Sequence, residues 1–320
     1  MTSREVVRRA VRFEKPERIP FDLSPEYGSD LAWMAMDPHV DARMSHGEDE
    51  WGAVWDCVGE HSLGEVTTPP LREWRDFDTL RIPDIRDPRR WQAVESLRET
   101  AGDKFLLATG VSIYERVHFL RGLENTWMDL YQDRESLERL LDLLVEMNLY
   151  AITRYAAADA DAFGFSDDWG LQKALMVPPA LWREVWKPRY ARIYEACHDV
   201  GLTTWLHSCG YIVDIIDDFI DAGLDMINVQ QQENMGLELL GQRFGGRITF
   251  WCPVDIQTVM AHGSLDEIRA YCRKMAECLG RPEGGLIFQW YSDPVAAGHS
   301  PEAVKAMSQE FLRLSRAAQG

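Results

Sequence analysis

Positive charge, long apolar runs and glycine-centred nucleotide signatures are what this 320-residue chain has least of. Lys and Arg number 34 against 52 Asp and Glu, giving a formal net charge of −18. A field of that sign repels phosphate backbones and anionic lipid, so neither nucleic acid nor a membrane surface is an expected partner. No apolar stretch approaches the roughly 18 residues that a spanning helix needs. No basic segment followed by an apolar one opens the chain, so it reads as cytoplasmic, with its six cysteines in a reducing compartment. Most of those cysteines are expected to be small apolar filler. Walker A, the Rossmann glycine fingerprint, the Gly-x-Ser-x-Gly elbow and His-Glu-x-x-His are all missing. Phosphate cradling, dinucleotide binding and the common hydrolase designs lose support with them.

What the chain has in quantity is alternation. "RIPFDLS", "EWGAVWD", "FLLATGV", "DAFGFSDDWG", "TTWLHSCG", "DMINVQQ", "ITFWCPVD" and "LIFQWYSD" read as eight strands. Helical patterns separate most of them, including 135–157 and 178–198. An opening helix with Val6, Val7, Ala10 and Val11 inward precedes the first strand. Strands alternating with helices imply a parallel sheet, and eight of them on one chain favour a single (β/α)8 TIM barrel over 1–320. Residues 25–100, rich in Asp, Pro, Arg and Trp, read as an excursion around the second strand that covers the barrel.

In such barrels chemistry sits where the strands end. "HSCG" puts His207 and Cys209 on one face of a strand end, because side chains alternate with period two. Imidazole and thiolate are good zinc ligands and would supply half a tetrahedral shell; a buried histidine beside an inert thiol is the alternative. Cys252, at the end of "ITFWC", is the preferred third ligand, with a packed thiol below the mouth as its alternative. In "FSDDWG", alternation sets Phe163, Phe165 and Asp167 on one face and Gly164, Ser166 and Asp168 on the other. Small residues leave room inside a barrel, so Asp168 is expected to point inward and to act with His207 in catalysis; helix capping is the other use of an Asp there. Trp169, Trp251, Trp290 and Tyr291 gather at the same end and suit a flat, partly apolar ligand, with Trp169, Trp290 and Tyr291 as cofactor-binding candidates.

The segments "SREVVRRAVRFEKPERIPFD", "DEWGAVW", "IDDFIDAGLDMINVQQ", "VDIQTVMAHGS" and the block from Ser166 to Gly210 carry a further signal. In this order they resemble the uroporphyrinogen decarboxylase superfamily. More narrowly they are similar to its corrinoid-linked methyltransferase branch, which includes methylcobamide:coenzyme M methyltransferases and the methyltransferases of anaerobic O-demethylation. The resemblance implies a (β/α)8 barrel and a zinc-binding His-x-Cys pair at His207 and Cys209. Zinc-dependent relatives take a third ligand from a cysteine near the end of the last strand, where this chain has "FQWYSDP". Porphyrinogen decarboxylases carry an Arg-Gln-Ala-Gly-Arg segment after the first strand, where this chain has "SPEYGSD".

The expected function is zinc-assisted transfer of a methyl group between a small methylated substrate and a corrinoid (cobalamin) cofactor. The substrate would be a methyl donor or acceptor such as an aromatic methyl ether, and the corrinoid would arrive on a carrier protein. A carboxy-lyase for a non-porphyrin acid, working through an inward carboxylate such as Asp56 or Asp168, and a non-catalytic corrinoid-binding relative are the alternatives. Because "SPEYGSD" has no arginine for a tetrapyrrole's carboxylates, incubation with uroporphyrinogen should give no coproporphyrinogen by chromatography; turnover would overturn this reading.

Overall fold

The computed structural model describes residues 1–57 and 64–317. Its centre is an eight-stranded parallel sheet curled into a nearly closed barrel. The barrel strands are β1 Phe21–Asp22, β2 Leu31–Met34, β3 Phe105–Thr109, β4 Ala162–Ser166, β5 Thr203–His207, β6 Met226–Asn228, β7 Thr249–Cys252 and β8 Leu286–Gln289. Each pairs with its sequence neighbour from β2 through β8, and β8 then pairs with β1. At the seam the Asp30 amide donates to the Phe21 carbonyl at 2.8 Å, and the Asp30 carboxylate accepts from the Phe21 amide at 2.9 Å.

The second strand corrects the sequence reading. "EWGAVWD" does not enter the barrel: Gly52 adopts φ +89° in a turn closed by its amide on the Asp49 carbonyl, which breaks the run. Only Val54–Asp56 is extended, in a small antiparallel sheet with Gly47–Glu48 and Glu65–Thr68. The barrel uses "LAWM" instead, a four-residue run too short to stand out.

Inside the barrel, Leu31, Phe105, Leu107, Ala162, Trp205, Met226, Trp251 and Ile287 form one cluster with Val7 and Val11. Helix Ser3–Arg12, capped by Thr2 accepting from the Glu5 amide, therefore lies across the N-terminal end of the barrel. Interior size is matched residue against residue. A Cβ on Gly164 would fall 1.8 Å from the Trp205 carbonyl oxygen and 2.6 Å from its ring, so glycine there makes room for tryptophan on the neighbouring strand. Alternate residues, Phe163, Phe165, Leu206, Ile227, Phe250, Cys252 and Phe288, pack outward against the helices.

Several side chains fasten the excursion between β2 and β3 to the barrel, among them Arg121 on the Leu71 carbonyl and Trp74 Nε1 on Asp129, and one of these ties is a fully buried cation. Arg116, on helix Glu115–Arg121 after β3, is fully buried and gives Nε to Asp41 at 2.7 Å and Nη1 to Asp49 at 2.9 Å. Asp49 also accepts from Trp55 Nε1 and from the amides of Trp51 and Ala53. Removing the cation would strand two carboxylates away from water, at a cost of about 3–5 kcal/mol. Arg116→Met should lower the melting temperature by several degrees and make 39–56 the first segment cut in limited proteolysis; an unchanged melt and digest would refute the fastening role.

Candidate functional site

The end of β4 sets the geometry. Asp167 continues the outward parity and is fully buried, accepting from the amides of Ile113 (3.2 Å), Tyr114 and Glu115 (2.9 Å each) and from Tyr190 Oη (2.6 Å). Burial pushes its carboxyl up to about 7, against the lowering effect of these donors, Tyr190 first. With Asp167 so engaged, Asp168 turns to the barrel mouth, and its Oδ1 accepts the Cys209 amide at 2.8 Å. The same oxygen lies 3.5 Å from His207 Nε2, which lies 3.3 Å from Cys209 Sγ. One ligand atom from each of Asp168, His207 and Cys209 falls within 4.8 Å of the others; among the described residues this is the one such group of His, Cys, Asp and Glu.

The tautomer of His207 is set from behind. Its Nδ1 is 2.7 Å from Asn228 Oδ1. The Asn228 amide nitrogen is committed to the Trp251 carbonyl and, at 2.7 Å, to Gln289 Oε1, so its oxygen faces His207 and must accept. In the neutral ring Nδ1 therefore carries the proton, and Nε2 is the nitrogen turned towards Cys209 and Asp168. Burial, followed by the charges of Asp168 and Glu115, holds the Cys209 thiol well above its ordinary range; a cation between the three groups relieves that pressure. Nitrogen, sulfur and carboxylate oxygen donors, half-buried and open on one side, fit a zinc ion with a free coordination position.

Around this group stand Arg43, Glu115 and His118. Arg43 Nη2 pairs with Glu115 Oε1. Glu115 is pushed well above the usual carboxylate range by burial and then by Asp168. His118, with Nδ1 buried, is pushed down to about 4 by burial and then by Arg43.

Other sequence candidates are placed elsewhere. Cys252 faces outward into the helix-packed core while Trp251 takes the interior, so Cys252 does not join His207 and Cys209; burial lifts its thiol to about 12. Trp169 is also core, stacked on Tyr114 at 3.9 Å and donating Nε1 to Tyr190 Oη at 2.9 Å. Trp290 packs half-buried on the outer side. Tyr291 keeps the inward parity of Ile287 and Gln289 and lies close enough to Cys209 and Asp168 for their charges to raise its pKa, after burial. Asp56 is exposed and sits 2.8 Å from His46, outside the barrel. Sequence reasoning passed over Asn228, although its place at the end of "DMIN", in register with His207, was a usable signal.

The sequence profile described as "Uroporphyrinogen decarboxylase (URO-D)" matches residues 58–312. The chain belongs to the uroporphyrinogen decarboxylase family. No curated protein matches it in sequence. Among solved structures, a methyltransferase from Methanosarcina mazei is 16% identical, with a TM-score of 0.70 over 98% of this chain and 99% of that one. A B12-independent methionine synthase from Shewanella sp. W3-18-1 is 14% identical, with a TM-score of 0.46 over 70% of this chain and 66% of that one. The family match contains Asp168, His207, Cys209 and Asn228, whereas β1, β2 and Arg43 precede it. No helix among the described residues of this family member is long and apolar enough to cross a membrane.

If Asn228 fixes the tautomer of His207, Asn228→Leu should weaken zinc binding by about 10- to 100-fold in chelator competition. An affinity equal to that of the unaltered protein would remove Asn228 from the site.

Proposed function

We propose that the mouth holds zinc through Asp168, His207 and Cys209 and moves a methyl group between a small methylated substrate and a corrinoid. The observation that carries this is the convergence of three donor atoms at the C-terminal face, with Nδ1 of His207 held from behind by Asn228 so that Nε2 faces the other two. Family membership and the full-length fold likeness to a methyltransferase support it, as does the similarity of the Ser166–Gly210 block to the corrinoid-linked branch.

Zinc bound there would supply Lewis acidity, stabilising the negative charge that develops on the heteroatom losing its methyl group. The residues of the chain prepare for this. Asn228 holds the ring proton on Nδ1 so that Nε2 is the atom offered to the metal, the Cys209 amide orients the Asp168 carboxylate, and the Cys209 thiol would give up its proton on ligation. In demethylation the heteroatom keeps the bonding pair, and the reduced corrinoid supplies the pair for the new bond to carbon. Tyr291 lines the opening through which a carrier protein would present that corrinoid, and an aromatic methyl ether is the preferred small substrate.

Native protein should contain about one zinc per chain, and His207→Ala should lose it by elemental analysis; equal zinc in both would overturn the ligand assignment. Reduced corrinoid with an aryl methyl ether, a methylamine or a methyl thiol should give the methylcobalamin spectrum with the native protein and not with the variant. Carbon dioxide release from an acid substrate by zinc-free protein would favour carboxy-lyase chemistry at Asp168 instead.

A further inference from the structure

Past the last paired residues of β4 and β5, the two chains stay bonded to each other over 167–171 and 207–211. The Asp167 amide donates to the His207 carbonyl at 2.9 Å, the Trp169 amide to Ser208 Oγ at 3.0 Å and the Gly170 amide to the Cys209 carbonyl at 3.1 Å. In the other direction the Cys209 amide donates to Asp168 Oδ1 and the Tyr211 amide to the Leu171 carbonyl, each at 2.8 Å. The Gly210 amide is taken by Gln231 Oε1 at 2.7 Å.

Two glycines make that closeness possible. Gly210 has φ +75°, and a Cβ on it would fall 2.2 Å from the Gly170 carbonyl oxygen and 2.4 Å from the carbonyl carbon. A Cβ on Gly170 would fall 2.4 Å from the Tyr211 amide nitrogen and 2.6 Å from the Cys209 carbonyl oxygen. The space each side chain would need is filled by the backbone beside the other glycine. Backbones in contact on both sides have no rotamer by which to give way. The amide that holds Asp168 Oδ1 belongs to Cys209 itself, so carboxylate and thiol are both referred to this one clasp of main chain.

The resulting spacing is that of a small ion. Bonds of about 2.0–2.3 Å at tetrahedral angles put donor atoms roughly 3.3–3.8 Å apart. His207 Nε2 lies 3.3 Å from Cys209 Sγ and 3.5 Å from Asp168 Oδ1. We propose that Gly170 and Gly210 are positioning residues, and that their clasp makes the site select cations by size, favouring zinc over the larger cadmium ion. A site whose ligands could part would follow ligand softness instead, and its thiolate would favour cadmium. Gln231 supports the clasp from the side by holding the Gly210 amide. This deepens the function proposed above and rests on Asp168, His207 and Cys209 holding a cation.

The test is chelator competition with zinc and with cadmium on full-length protein stripped of metal, together with the visible spectrum of the cobalt(II) form. Wild type should bind zinc more tightly than cadmium. Gly170→Ala and Gly210→Ala should weaken zinc by about 10- to 100-fold and cadmium by less, so that the preference narrows or reverses. The cobalt bands of these variants should shift and lose intensity as the ligands part. Gln231→Leu keeps both glycines and should move the ratio the same way by a smaller factor; it carries the test if an alanine variant does not fold. Gly201→Ala, at the far end of β5 with φ +81° and open space around it, imposes similar backbone strain and should leave both affinities unchanged. Cadmium bound by wild type as tightly as zinc, a ratio unmoved in the three variants, or an equal change in Gly201→Ala would overturn the clasp. Zinc binding and methyl transfer without a size preference would leave the proposed function standing. A size preference lost in the variants, with no methylcobalamin formed by wild type, would leave the clasp standing and defeat methyl transfer. Wild type that binds no cation would overturn both.

Discussion

Everything at the mouth depends on the burial of one carboxylate that does not face it. Asp167 accepts three consecutive backbone amides and a tyrosine hydroxyl, and so ties the end of β4 to the loop entering helix Glu115–Arg121. Two adjacent side chains on an extended strand cannot share a face. Fixing Asp167 outward therefore fixes Asp168 inward, beside His207. The same tie places Glu115 and Arg116 at the start of their helix, one to meet Arg43 and the other to hold the excursion. An asparagine at 167 would keep one acceptor oxygen but turn an NH2 group towards the Ile113 amide, a donor that Oδ2 now satisfies, disturbing both relations together.

Much of the barrel was legible in the sequence because its strands are bounded by turn residues and separated by helical periodicity. β3 to β8 fall within the expected runs, and the helix at 135–157 is found as Arg134–Ala157. The helix expected over 178–198 is divided into Pro179–Val185 and Lys187–Asp199, with Pro188 entering the first turn of the second piece. β2 was not legible: its four residues carry no alternation that a window could detect, while "EWGAVWD" imitates a strand until Gly52 turns it.

The site was legible where size disclosed parity. Gly164 and Ser166 are small, so the inner face of β4 could be recognised and Asp168 placed on it. On β7 size misleads, since the inner position holds Trp251 and the outer one Cys252, the reverse of what a small-inside rule suggests. The interior has space for Trp205 because Gly164 gives way on the neighbouring strand, a relation between strands that no single run displays. Arg43 was hidden for a related reason. Its position follows from how the excursion folds back, which depends on pairings such as that of Arg116 with residues more than 60 positions away.

Helix Ser3–Arg12 has a kinetic meaning. With Val7 and Val11 packed among the interior side chains, the far end of the barrel is stoppered. Traffic in both directions must then use one doorway. Under the function proposed above, a carrier protein seated at that doorway would block it, so the small reactant would have to enter before the carrier arrives and leave after it departs, and excess carrier would slow turnover by trapping whatever is already inside.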